Sequence, residues 1–593
     1  MDPITAAGIG LSITSLALQA FAGCVKGYQL FADAEDMPAR YQHLRVRLQI
    51  EESRLLNWGE KVGLEQERLD NPSRTLLQNG NLIIEVMLEM QALFKETTHI
   101  VNEFDHYVQK PTPEKGAGGE AELDKRLPRL PNLMLEKTLR FFEKVPQTKV
   151  RLKWAMIKKD KFGSLIEKLI GYNTYIEGLL DKSAMEHLQF MQQQTYMTML
   201  QLNSSVSKLK EISLAIQMKT AATTPGNGSS ISFHRSNDSP KTDSDHADFA
   251  HLAEFKAQQI SLDSGPPDLE PIRSEEVEIG DSDDETHSDD ETRSEALFQS
   301  THVWIEWKHY SVDQNPHSYW NKTIENRIKK LAILLSSTRK PKQFGAPHCL
   351  GYFNDKDGER YGFLYRKPLE VPSTTKPTSL FDLLTPPNKP SLSKRITLAH
   401  TIARCLMYLH SVNWLHKGLR SNNIIFFTPE GKTPAYHEPI IAGFEYARPD
   451  RPEEETDPPP QPSKHDIYRH PATLTGMGGS RSQKSHDIYS LGIVLVEIAY
   501  WQSIDEILNV PRDAKKAVPS VREARQRLLA PASLRDIENQ VGEVYGAAVR
   551  KCLAGGKELD IPKGANETNA EVGVLMQSKF SKEIVNKLGD IRV

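Results

Sequence analysis

A polar tract near the middle of the chain constrains most strongly what this sequence can fold into. From 221 to 297 Ser, Asp, Pro and Glu dominate and large apolar residues are few, and the tract runs through DSDDETHSDDET at 281–292. Such a composition buries too little surface to offset its ordering entropy, so a disordered linker is expected there. No single core can then run through all 593 residues. The expected layout is an N-terminal domain over 1–220, the linker over 221–297, and a C-terminal domain over 298–593.

The N-terminal part reads as helical throughout. Residues 37–64, 73–104 and 132–145 carry apolar side chains at three- and four-residue spacing. A further stretch from 149 to 220 offers Trp154, Phe162, Leu165, Leu169, Ile176 and Leu180 as its inner face. Ser73, following Asp70, Asn71 and Pro72, marks a helix start. An all-α bundle of four or more helices is expected. Residues 3–25 contain no charge. As a helix they are just long enough to cross a bilayer, though Thr5, Ser12, Thr14, Ser15 and Gln19 dilute them. A helix apolar nearly all round is buried in a bundle core or in lipid. Here it places Ile9, Ile13, Leu16 and Ala20 on one side and Leu11, Leu18 and Val25 on another.

The C-terminal part mixes strands and helices. HVWIEWKHYS and YGFLYRK alternate like strands, whereas ENRIKKLAILLSS, SLSKRITLAHTIARCLMYLHS and HDIYSLGIVLVEIAYW read as helices, an α+β pattern. The formal net charge of −4 supplies no basic surplus for nucleic acid. The four scattered cysteines have neither disulfide nor zinc spacing and read as buried small hydrophobes. No metal ligands are expected.

Four short motifs in the C-terminal part occur in an informative order. WLHKGLRSNNIIFF resembles the catalytic loop of protein kinases, H-R-D-L-x-x-x-N, with His416, Leu419 and Asn423 in register and Gly418 where the catalytic Asp belongs. IAGFEYARP resembles the D-F-G segment, with Phe444 in place but Gly443 for the metal-binding Asp. WIEWK resembles the strand that carries the phosphate-pairing lysine, which makes Lys308 the candidate nucleotide contact and Glu325 its candidate helix partner. HDIYSLG resembles the buried helix start whose aspartate, here Asp487, buttresses the catalytic loop; YRHP at 468–471 resembles the end of an activation segment. No glycine lies between Gly280 and Gly345, so the phosphate-covering loop and its strands are expected to be absent. The resemblance implies a kinase-like fold without catalytic residues, a pseudokinase, with weak ATP binding at most. A divergent kinase that substitutes Asn422 or Glu445 is the enzymatic alternative. A non-enzymatic scaffold is the other.

RLLNWGEKVGL at 54–64 and VRLKWAMIKKDKFGSLIEKLIGYNTYIEGLL at 150–180, behind an uncharged first helix, resemble the HeLo domain of fungal heterokaryon-incompatibility (HET-S/LOP-B) proteins. This resemblance implies a bundle whose N-terminal helix inserts into membranes in programmed cell death. Ile9, Leu11, Ile13, Leu16, Leu18, Phe21 and Val25 would be the inserting residues, whereas Trp58 and Trp154 read as core anchors. It further implies a cytoplasmic protein that moves to the plasma membrane on activation. Its partners would be membrane lipid, a protein activator read by the kinase-like part, and other copies in a homo-oligomer. No Gly/Asn-rich repeated β-motif of an amyloid-forming tail is present. SDDET occurs twice, and Ser282 and Ser288 are candidate sites for an acid-directed kinase.

Overall fold

The computed structural model describes residues 3–32, 41–64, 73–102, 159–222, 241–263, 265, 268–280, 293–309, 319–385, 389–450, 465–474, 481–510, 518–562 and 565–593. They form two compact units, Met1–Ala253 and Glu254–Val593.

The first unit contains α1 (Pro3–Ala32), α2 (Gln42–Val62), α3 (Arg74–Asn102), α4 (Lys159–Glu177), α5 (Lys182–Leu202) and α6 (Val206–Ala222). The sequence offered one long stretch from 149 to 220, which the structure breaks at two capping residues. The Asp181 carboxylate accepts the Ala184 N–H (2.8 Å), and Asn203 takes the Ser205 N–H (2.9 Å). Ser73 caps α3 by accepting the Leu76 N–H (3.2 Å). Where its side chains are described, from Leu16 on, helix α1 is one-sided rather than buried all round. Ala17, Phe21, Cys24, Tyr28 and Phe31 face the core, whereas Leu16 is 54% exposed. Its closest approach is to α3. A Cβ on Gly23 would meet Gln91 at 2.4 Å and one on Gly27 would meet the Phe94 ring at 2.2 Å. A side chain at Gly27 would have to displace the ring, whereas at Gly23 the flexible Gln91 amide would have to swing aside. Gln91 Nε2 donates to the Ala20 carbonyl (2.8 Å), and Tyr28 meets Phe94 edge-on at 5.0 Å. Trp58 is fully buried and donates to the Ile176 carbonyl (3.0 Å). Trp154, the 132–145 helix and the side chains of Ile9, Leu11 and Ile13 lie outside the described residues.

Below this apolar layer lies a cluster of charge. The Arg54 guanidinium donates to both oxygens of Glu177 (3.0 and 2.6 Å), to Glu51 (2.6 Å) and to Thr174 (3.2 Å). Asn173 donates to Glu51 Oε2 (2.9 Å) and to the Tyr28 hydroxyl (3.2 Å), and Gln192 donates to Glu177 (2.9 Å). The cluster therefore ties α1, α2, α4 and α5 together.

The expectation of a disordered linker over 221–297 needs correction where residues are described. Helix α7 (Lys241–Leu262) lies inside it, and Phe249, Leu252, Ala253 and Phe255 are buried. The tract is polar on average, but DFAHLAEF concentrates its apolar residues at helical spacing, and a mean composition hides that. The boundary between the two units falls within α7. Phe249 packs on Tyr196 in the first unit (5.3 Å), and Phe255 on Phe344 and Trp414 in the second (5.0 and 5.2 Å).

A second correction concerns the strands expected to be missing before Lys308. Strands β1 (Val277–Ile279) and β2 (Arg293–Phe298) precede β3 (Thr301–His309). With β4 (His348–Asp355) and β5 (Arg360–Arg366) they form an antiparallel sheet in the order β1-β2-β3-β5-β4. Helix α8 (Tyr319–Ser336) connects β3 to β4. One sheet face carries Val303, Ile305 and Trp307 on Val277, Ala296, Phe353 and Leu364. Alternation along β3 turns Trp304, Glu306 and Lys308 to the opposite face. The rest of the unit is helical around α9 (Leu392–Ser411) and α10 (Lys484–Tyr500), buried over nearly all its length. Small pairings of β6 (Pro377–Ser379), β7 (Trp414–Leu415), β8 (Ile424–Phe427), β9 (Ile440–Ile441) and β10 (Arg448–Pro449) accompany them. All four cysteines are buried and free.

Candidate functional site

The loop after β7 is built on one carboxylate. Asp487, in the first turn of α10, accepts the backbone N–H groups of His416 and Lys417 (both 2.8 Å) and meets His410 Nε2 at 3.2 Å. Burial alone would raise its pKa, but the His410 contact, with His416 and its N–H, holds the carboxyl below the usual aspartate range. The anchoring holds Lys417 in left-handed backbone (φ 63°) and presents Gly418 beyond it. The Gly418 N–H then donates to His416 Nδ1 (3.2 Å), whose ring lies 4.7 Å from that of Phe444. Burial lowers the His416 pKa, which favours the neutral ring this acceptor role requires.

Gly418, Asn423 and Gly443 interlock. Asn423 Nδ2 donates to the Gly418 carbonyl (2.7 Å), and the Asn423 carbonyl accepts the Ala442 N–H (2.8 Å). A Cβ on Gly443 would fall 1.9 Å from Asn423 Nδ2, and the residue is left-handed at φ 82°. A Cβ on Gly418 would fall 2.8 Å from the Gly443 carbonyl. Neither position has room for a carboxylate side chain without displacing its neighbour.

Two side chains that the sequence reading did not single out fill the space in front of these glycines. Arg293 of β2 donates to Glu306 Oε1 (3.1 Å), to the Asn422 carbonyl (2.7 Å) and to Asn423 Oδ1 (2.6 Å). Glu306 of β3 receives the Gly443 N–H on both oxygens (3.1 Å each). Burial and nearby Glu445 raise the Glu306 pKa; Arg293 and the Gly443 N–H oppose that rise. Alternation along WIEWK puts Glu306 on the Lys308 side of the strand, a signal that was available in the sequence. Arg293, some 130 positions from Asn423, carried none.

Lys308 is buried, and its ammonium stands 3.6 Å over the Tyr446 ring. Glu325 forms an ion pair with Lys329, one turn along α8 (3.1 Å). Asn422 contributes its carbonyl to Arg293, and Glu445 lies near enough to Glu306 and His416 to perturb both. The residues present do not fit a divalent metal, because a guanidinium already engages the Glu306 and Asn423 oxygens. Among the described residues no group of three His, Cys, Asp or Glu side chains could hold a metal ion. In the first unit Leu16 is exposed, Leu18 and Val25 are half-buried against the core, and Phe21 is fully buried. Ser282 and Ser288 lie outside the described residues.

Residues 282–590 match the family model described as Domain of unknown function (DUF7580), a little over half of the chain. The chain belongs to the DUF7580 family. Residues 8–212 match the HeLo domain, described as Prion-inhibition and propagation, a domain associated with fungal heterokaryon incompatibility and cell death. No curated protein matches the chain. The DUF7580 match contains the whole Gly418–Asn423–Gly443 interlock together with Arg293 and Glu306. The HeLo match contains the Arg54 cluster and all but the first turn of α1.

Proposed function

We propose that this chain is an incompatibility or cell-death effector. Its HeLo helix α1 acts on membranes, and its C-terminal unit is a kinase-like regulator without phosphotransfer chemistry. The observation that carries the regulator reading is the closed interlock at Gly418, Asn423 and Gly443. Support for kinase-like architecture comes from the β1-β2-β3-β5-β4 order, a helix between β3 and β4, Lys308 on β3, and Asp487 beneath the loop after β7. ATP binding at Lys308 would have to displace the ammonium from the Tyr446 ring.

The effector half of the reading rests on the HeLo match and on the uncharged residues 3–25. Among the described residues no helix is long and apolar enough to cross a membrane. The reading therefore takes α1 as a segment that enters lipid only when several copies shield one another's polar positions. On this reading the chain is cytoplasmic at rest and reaches the plasma membrane once a protein activator engages the C-terminal unit. A second reading, a scaffold whose first helix stays in its core, is favoured by the complete burial of Phe21, Cys24, Tyr28 and Phe31.

Dye release from anionic liposomes separates the two. Full-length protein and a 1–222 fragment are compared with their Leu16→Glu variants, an exposed position where the charge leaves the core intact. Release that the variant loses while circular dichroism is unchanged supports the effector. Release by neither parent protein across lipids and pH rejects it in favour of the scaffold.

A further inference from the structure

Helix α7 carries two buried aromatic rings, Phe249 and Phe255, about 9 Å apart along its axis. Phe249 packs on Tyr196 of α5 at 5.3 Å, within the first unit. Phe255 packs on Phe344 at 5.0 Å and on Trp414 of β7 at 5.2 Å, within the second. Two ion pairs fasten the Phe255 end. Glu254 meets Arg339 at 3.3 Å, and Asp263, just past the helix, meets Lys330 of α8 at 2.9 Å.

Each ring leads to a cluster already described. Tyr196 stands one turn past Gln192 on the same face of α5, and Gln192 donates to Glu177 (2.9 Å). The neighbouring Thr195 accepts from Asn57 (3.2 Å), which lies one turn past Arg54 on α2. Burial raises the Tyr196 pKa, and the charges of Glu51, Arg54 and Glu177 act on it as well. Phe249 is thus seated against the charge cluster whose Asn173 donates to the Tyr28 hydroxyl of α1 (3.2 Å). At the other end Trp414 lies 5.7 Å from Phe444, and Phe444 lies 4.7 Å from His416. His416 Nδ1 accepts the Gly418 N–H (3.2 Å).

The helix itself supplies the element with two states, seated and loosened. Helix formation is cooperative, and in proteins it owes most of its stability to packing. Loosening the Phe255 seat therefore weakens the Phe249 seat, and the reverse. We propose that α7 is a coupling helix: a partner that shifts Trp414 or Phe444 loosens Phe255, and through it Phe249 and the cluster that holds α1. Coupling of this kind is reciprocal. It rests on the regulator reading for its use, since it names the route by which an engaged C-terminal unit would reach α1.

The test is native-state hydrogen exchange of the full chain in solution, without lipid, comparing the parent with Phe255→Leu and Phe249→Leu. Phe255→Leu should speed exchange at 190–200 of α5 by roughly tenfold, and Phe249→Leu should do the same at 413–418. The double variant should do little more than either single one, because both loosen the same helix. Exchange in α3 and β4 should not change. Either variant decides alone if the other does not fold. An effect confined to the unit that holds the substitution would overturn the coupling, and so would equal speeding everywhere, α3 and β4 included. Loss of coupling with dye release intact rejects α7 as the route, whereas coupling without dye release rejects the membrane reading alone.

Discussion

Replacing Arg54 with methionine tests whether the HeLo bundle depends on its buried charge cluster. Arg54 is 4% exposed, and its partners Glu51 and Glu177 are 1% and 8% exposed. Methionine fills much of the same volume but removes four hydrogen bonds, three of them to carboxylates at 2.6–3.0 Å. Breaking a buried pair by deleting one partner costs about 3–5 kcal/mol, chiefly because the other charge is left uncompensated. Here one deletion strands two carboxylates, so the upper part of that range is expected. At 1.36 kcal/mol per decade, that raises the opening equilibrium of α2 and α4 by roughly a thousandfold. Native-state hydrogen exchange read by mass spectrometry resolves α2 and α4 separately from the C-terminal unit. The triple variant Arg54→Met, Glu51→Gln, Glu177→Gln should recover most of the loss, because no buried charge remains. A loss below about 1 kcal/mol for Arg54→Met, or a triple variant no better than the single, would refute the reasoning.

Three further outcomes are expected. Gly418→Asp and Gly443→Asp should each destabilise the C-terminal unit by about 1–3 kcal/mol as overpacking does, seen as a lower melting temperature, without producing radiolabel transfer from ATP; a stable variant with transfer would reverse the regulator reading. Gly27→Ala should loosen α1 from α3 by a similar amount, seen as faster exchange confined to those two helices. Acid should weaken the C-terminal unit through the stacked His470 and His486 rings, 4.7 Å apart. Burial pushes their pKa values down to about 3 and about 4, and each accepts a backbone N–H at Nδ1. Because the folded values lie below the ordinary 6.5, the unfolded chain binds these protons first. Stability is then complete above about pH 6.5 and falls toward pH 4, by up to roughly 3 kcal/mol per ring. Melting temperatures between pH 7.5 and 4.5 should show this slope, and His470→Gln with His486→Gln should flatten it.

Most of the architecture could be read from local pattern, because helices and long strands record their environment in their own spacing. The segments at 37–64, 73–104 and 486–501 became α2, α3 and α10, and HVWIEWKHY became β3. What escaped was decided elsewhere in the chain. Strand β1 is three residues long and acquires its meaning only by pairing with β2 across the acidic repeat. The apolar spacing within α7 was hidden by the composition around it. Helix α1 read as apolar all round, because a small residue at an exposed position and one at a close contact look alike in sequence; what marks Gly23 and Gly27 is Gln91 and Phe94 of α3 brought against them. At the candidate site, Gly418 and Gly443 were visible as departures from an acid pattern. That they are packed shut, with Arg293 in front, depends on contacts across well over a hundred positions.

The interlock of Gly418, Asn423 and Gly443 also makes the three positions interdependent. An aspartate at Gly443 strikes the Asn423 amide that holds the Gly418 carbonyl, one at Gly418 strikes the Gly443 carbonyl, and moving Asn423 aside releases both the Gly418 carbonyl and Arg293. An acid at either glycine therefore costs stability through the whole set of contacts and not at one position alone. Several positions would have to change together for a carboxylate to sit there without strain.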